Sequence, residues 1–80
     1  MESFKERRER LFLSQSTLAK HCGVKKQTVW HWEHGFAIPR LEHQRLLIEA
    51  LQCTRKELLA MLQDARERRI EEDEKERPAA

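Results

Sequence analysis

Glycine and proline are almost missing from this chain, with two of each in 80 residues. Runs of β-branched residues are missing as well. A sheet protein needs turn residues between its strands, so the pattern points to an all-helical chain. No apolar run approaches the roughly 18 residues of a membrane span. The N-terminus is polar and lacks the apolar core of a signal peptide. Two cysteines, Cys22 and Cys53, are too few for a dense disulfide framework and fit free thiols in a reducing cytoplasm. An excess of one charge is missing too: 16 Lys/Arg stand against 14 Asp/Glu, a net +2. Bulk charge therefore names no partner. Eighty residues make one domain at most, with a core too small to support a substrate cleft.

What is present is helical periodicity. Phe4, Arg8 and Leu11 fall at i, i+4 and i+7 on a first helix running to Phe12. Arg8 thus sits inside an apolar stripe. Ser14 is a cap for a second helix, Gln15–Cys22, which carries Leu18, Ala19 and Cys22 on one face and stops at Gly23. A third helix runs from Lys26 to about His34 and stops at Gly35. Two short helices joined by a turn around a glycine form a helix-turn-helix. Pro39 marks a loop. Leu41, Gln44, Leu47, Ile48 and Leu51 then repeat as a fourth helix. Thr54 with Glu57 is a capping box for a fifth, with Leu58, Leu59 and Leu62 as its inner face.

Beyond Ala65 the chain changes character. Residues 66–77 hold five basic residues, six acidic residues and Ile70, so nothing remains to bury. Arg68–Glu72, Arg69–Asp73, Glu71–Lys75 and Asp73–Arg77 are i,i+4 pairs that support a solvated helix. Residues 1–65 read as the folded domain. Residues 66–80 read as a charged helical extension or a disordered tail, serving either solubility or contact with a partner.

The stretch "KKQTVWHWEHG", Lys25–Gly35, divides by helical face. Val29, Trp32 and Glu33 point inward, and Trp32 is a core anchor. Glu33 needs a partner there, because a lone buried carboxylate is costly. Arg8 is the other charge on an apolar stripe, so the two are expected to pair and clamp the first helix to the third. Lys26, Gln27, Trp30, His31 and His34 occupy the remaining face. Lys and Gln in a helix's first turn suit the major groove, where Lys meets guanine O6/N7 and Gln meets adenine N6/N7. His31 lies one turn further on. Thr28 is within reach of a phosphate or a thymine methyl. Trp30 has two readings, packing on deoxyribose or a loop, and packing partly in the core.

Other chemistry finds little support. His21, Cys22, His31 and His34 are close in sequence, but Cys22 lies on an apolar stripe and no C-x-x-C pair occurs. "HWEH" lacks the H-E-x-x-H spacing of a metalloprotease helix. There is no nucleophile with its base, no paired carboxylates and no glycine-rich phosphate loop. No metal, cofactor or enzyme activity is expected.

Taken together, "LSQSTLAKHCGVKKQTVWHWEHG" resembles the helix-turn-helix of the lambdoid phage repressor and Cro type, the XRE family. The resemblance rests on Leu13-Ser14-Gln15, Leu18-Ala19, Gly23-Val24, Val29, Glu33-His34-Gly35, Pro39 and Leu58-Leu59, and spans about Phe4–Leu62. It implies a compact five-helix bundle whose third helix reads the major groove, with Lys26, Gln27 and His31 in base-reading positions; Trp30, on the same outer face, is placed with them. It implies phosphate contacts from Gln15, Lys25, Thr28 and Arg40, and an Arg8–Glu33 pair; Ser14, beside Gln15, and His34, on the outer face of the third helix, are placed with the phosphate contacts. The chain departs from the pattern in three places. Gln52 stands where a helix-ending glycine is usual, Lys25 where a Ser or Thr cap is usual, and Leu46 at a usually polar position. Leu46 reads equally as local packing and as a dimer contact. The partner implied is a double-stranded DNA operator, bound as a homodimer without a membrane. The alternative is an antitoxin-type DNA-binding protein that holds a partner protein through residues 66–80.

Overall fold

The computed structural model describes residues 1–76. They form five helices: α1 (Phe4–Arg10), α2 (Gln15–Cys22), α3 (Lys26–Glu33), α4 (Leu41–Leu51) and α5 (Arg55–Glu76). No strand occurs among the described residues. Helix α2 packs on α3 and α4, and α5 closes the bundle against α1, α3 and α4. The apolar stripes of the helices meet in a core of Phe4, Leu18, Val29, Trp32, Leu47, Leu51 and Leu58, each at most 2% exposed. Burying such a side chain stabilises a fold by about 1.5–3 kcal/mol.

Three helices start on a side-chain cap. Ser3 Oγ accepts from Glu6 N while Ser3 N donates to Glu6 Oε1, at 3.1 and 3.0 Å. Thr54 and Glu57 repeat the same reciprocal pair. Ser14 Oγ accepts from Thr17 N at 3.0 Å. Helices α3 and α4 start at Lys25 and Arg40 with no side-chain cap. Each missing cap forgoes about 1 kcal/mol.

The first four helices end the same way. A residue in the left-handed region follows each of them: Phe12 (φ 58°), Gly23 (φ 70°), Gly35 (φ 78°) and Gln52 (φ 50°). The next residue's N–H then reaches back five positions, as Leu13→Arg8, Val24→Ala19, Phe36→His31 and Cys53→Ile48, at 2.9–3.2 Å. This is Schellman closure, which satisfies carbonyls the helix leaves open. Arg7 adds a second closure to α4, where Nε donates to Leu51 O at 2.7 Å and Nη2 donates to Gln52 O.

Several expectations need correction. Helix α1 stops at Arg10, and Phe12 lies outside it, 96% exposed. The buried stripe of α5 is Leu58, Met61, Leu62 and Ala65, at i, i+3, i+4 and i+7. Leu59 is turned about 100° from Leu58 and is exposed, not on the inner face. Leu41, first in α4, is also exposed. Leu46 is half-buried and packs against the core. Arg68 pairs back to Asp64 rather than on to Glu72, while Arg69 does pair with Asp73, both at 3.0 Å. The Asp73–Arg77 pair and the disorder expected around Pro78 lie outside the described residues.

Candidate nucleic-acid interface

The turn between α2 and α3 is Gly23-Val24-Lys25. Gly23 supplies the left-handed residue and Val24 packs against the core. With the two helices locked this way, α3 sends Val29 and Trp32 inward, 0% and 2% exposed. Lys26 and Gln27 stand exposed in its first turn, Thr28 and His31 are half-buried, and Trp30 and His34 are exposed.

Glu33 reaches Arg8, the buried charge of α1. Arg8 Nε donates to Glu33 Oε2 at 2.6 Å and Arg8 Nη2 to Glu33 Oε1 at 3.2 Å. Arg8 Nη1 donates to Leu13 O at 2.8 Å. The two side chains are 9% and 1% exposed. A guanidinium with all its edges used grips both the carboxylate and the chain entering α2. One bonded unit therefore sets α1, α3 and the start of α2 relative to one another.

The electrostatics of the two central helices differ from the rest. Helices α1, α4 and α5 carry Glu6, Glu42 and Glu57 in their first turns, whereas α2 and α3 carry no acid there. The positive dipole ends of α2 and α3 are thus left unneutralised, and Lys25 and Lys26 add to the one on α3. Such an end favours an anion with oxygen acceptors. Gln15 opens α2 half-buried, beside exposed Ser14. Ser14's single proton goes to Thr17 Oγ1 at 2.9 Å. Arg40 is exposed at the start of α4.

Trp30 lies in a stack. Its ring is 4.0 Å from His34, 16° from parallel, and 5.6 Å from Phe36 at 15°. His34 Nδ1 donates to Trp30 O at 2.9 Å, and His31 meets the Trp30 ring edge-on. Trp30 is therefore placed by its neighbours and is no part of the core. The Arg69 guanidinium sits over Phe36, 5.0 Å from the ring centre, and its Nε donates to Gly35 O at 2.8 Å. Sequence reasoning missed both Phe36 and Arg69. The available signal was spacing, since Arg69 is i+4 from Ala65, the last residue of α5's buried stripe.

Among the described residues, no three His, Cys, Asp or Glu side chains converge as a metal site. Burial pushes the Cys22 and Cys53 thiols up, which suppresses their thiolates. No described helix is long and apolar enough to cross a membrane.

Neither a curated protein nor a solved structure matches the chain. A family model described as a helix-turn-helix domain matches residues 2–62, which include α1–α4 and the start of α5. The chain belongs to the helix-turn-helix domain family, whose members bind DNA.

Proposed function

We propose that the protein is a sequence-specific transcription regulator of the lambdoid repressor and Cro type, acting as a repressor. It binds a pseudo-palindromic operator as a homodimer, with α3 in the major groove. Lys26, Gln27, Trp30 and His31 meet base edges, and Ser14, Gln15, Lys25, Thr28, His34 and Arg40 meet the backbone. The observation that carries this reading is the division of α3. Its inner face is locked by Val29, Trp32 and the Glu33–Arg8 pair, while Lys26 and Gln27 project freely from an uncapped, acid-free first turn.

Each candidate group has matching chemistry. Gln27 offers a donor and an acceptor for adenine, and Lys26 donors for guanine. The open N–H groups at the starts of α2 and α3 suit phosphate oxygens. Ser14 joins them only by giving up its bond to Thr17. One copy makes few phosphate contacts, and a two-fold pair doubles them, with half-sites about 34–36 Å apart. Selection of bound duplexes from random DNA tests the proposal. An inverted repeat with half-sites one helical turn apart supports it, and an unenriched pool refutes it.

A further inference from the structure

The base-reading helix ends in a stack that reaches the charged end of α5. Along this stack, His34 lies on Trp30, Trp30 on Phe36, and Phe36 under the Arg69 guanidinium. Trp30 is i+4 from Lys26 and i+3 from Gln27, so its ring shares their side of α3. Phe36 is the residue whose N–H closes α3 on His31 O. Whatever holds Phe36 therefore holds both the end of α3 and the ring beside its reading face.

Arg69 is the holding group. Its Nε donates to Gly35 O at 2.8 Å, its Nη1 donates to Asp73 Oδ2 at 3.0 Å, and its flat face covers Phe36. Three contacts in different directions fix the orientation of the guanidinium, as the point charge of a lysine cannot. The backbones are close enough for this. A Cβ on Gly35 would stand 2.4 Å from Ala65 O, so α5 crosses the end of α3 one turn before Arg69. Phe36 is 55% exposed, and burial alone does not fix it.

We propose that Arg69 is a positioning residue for DNA recognition: from beyond the core, it braces Phe36 and Trp30 and so fixes how α3 presents Lys26 and Gln27 to the bases. The proposal rests on the reading that α3 enters the major groove. On this view the start of the charged extension is part of the reading apparatus, although it touches no base.

The test compares binding to a duplex selected by the full chain with binding to a scrambled duplex, across a salt series. Arg69→Gln should weaken the selected duplex about five- to tenfold, the loss of one cation–π contact and one hydrogen bond. It should leave scrambled DNA and the salt slope unchanged. Phe36→Leu should do the same, and the double variant should be no worse than the larger single loss, because both break one brace. Arg69→Lys should not restore discrimination, although it restores the charge. Lys75→Gln, a control for charge loss, should leave the selected-to-scrambled ratio unaltered. Helical content by circular dichroism identifies folded variants.

If Arg69→Gln weakens both duplexes alike and flattens the salt slope, or if Arg69→Lys rescues fully, Arg69 is a backbone cation and the proposal is overturned. No change in either duplex overturns it too. Gln27→Ala in the same assay separates the two readings. If Gln27→Ala lowers discrimination and Arg69→Gln does not, the brace alone fails. If neither does, the groove reading fails with it.

Discussion

Arg8 and Glu33 are joined by two hydrogen bonds, at 2.6 and 3.2 Å, with the carboxylate side chain only 1% exposed. The pair ties α1 to the end of α3, and the third guanidinium edge holds Leu13 O at the entry to α2. Arg8→Ala leaves a buried carboxylate unpaired and should cost about 3–5 kcal/mol. Arg8→Lys should recover little, because one ammonium cannot make the forked contact. Urea unfolding measures both, and a loss under 1 kcal/mol for Arg8→Ala would show that the pair is not structural.

Gly23 and Gly35 share a left-handed backbone but differ in their surroundings. A Cβ at Gly23 meets nothing within 4 Å, while at Gly35 it meets Ala65 O at 2.4 Å. Gly23→Ala should cost only the conformational term, about 1–2 kcal/mol. Gly35→Ala should cost clearly more, because α5 must lift from α3. Thermal unfolding of the two variants side by side decides it, and equal losses would contradict the close crossing.

Phe12 and Gln52 occupy the same backbone region without being glycine. Both side chains are exposed, Phe12 at 96%, so neither gains packing in return. Phe12→Gly and Gln52→Gly should each stabilise the fold by about 0.5–1 kcal/mol, the relieved strain exceeding the added unfolded-state entropy. A fall in the unfolding midpoint for both would mean that these turns are not strained.

These two turns also mark where the sequence was hard to read. Gly23 and Gly35 announce their helix ends, so α2 was legible to the residue and α3 to within one. Phe12 adopts the same conformation without a glycine, so periodicity carried α1 two residues too far. Gln52 broke the usual pattern without breaking the turn, because Arg7 reaches across from α1 to the last carbonyls of α4. A contact 44 residues away leaves no local trace. The Ser3–Glu6 box was present in the sequence as S-x-x-E and went unread. Leu59 followed from counting leucines instead of angles. Charge alone hid Arg69, whose role depends on Gly35 allowing α5 to pass close by.

The capping boxes give the fold an acid limit. Thr54 N and its hydroxyl bond Glu57, and Ser3 does the same for Glu6, holding both carboxyls below the usual glutamate range. A carboxyl depressed on folding stabilises the fold above its unfolded value, and that contribution is lost as pH falls through the folded value. Stability should therefore hold near neutrality and decline below the ordinary glutamate range. Glu57→Gln should flatten part of this decline while costing little at pH 7. An identical acid slope in the variant would remove Glu57 from the account.

The central claim is that α3 reads bases through its first turn. Its most direct test is selection of duplexes from random DNA by the native chain and by Gln27→Ala. The account predicts that Gln27→Ala loses preference at one symmetry-related base-pair position in each half-site and about 1–3 kcal/mol in affinity for the native duplex. An unchanged selected sequence with unchanged affinity would contradict it.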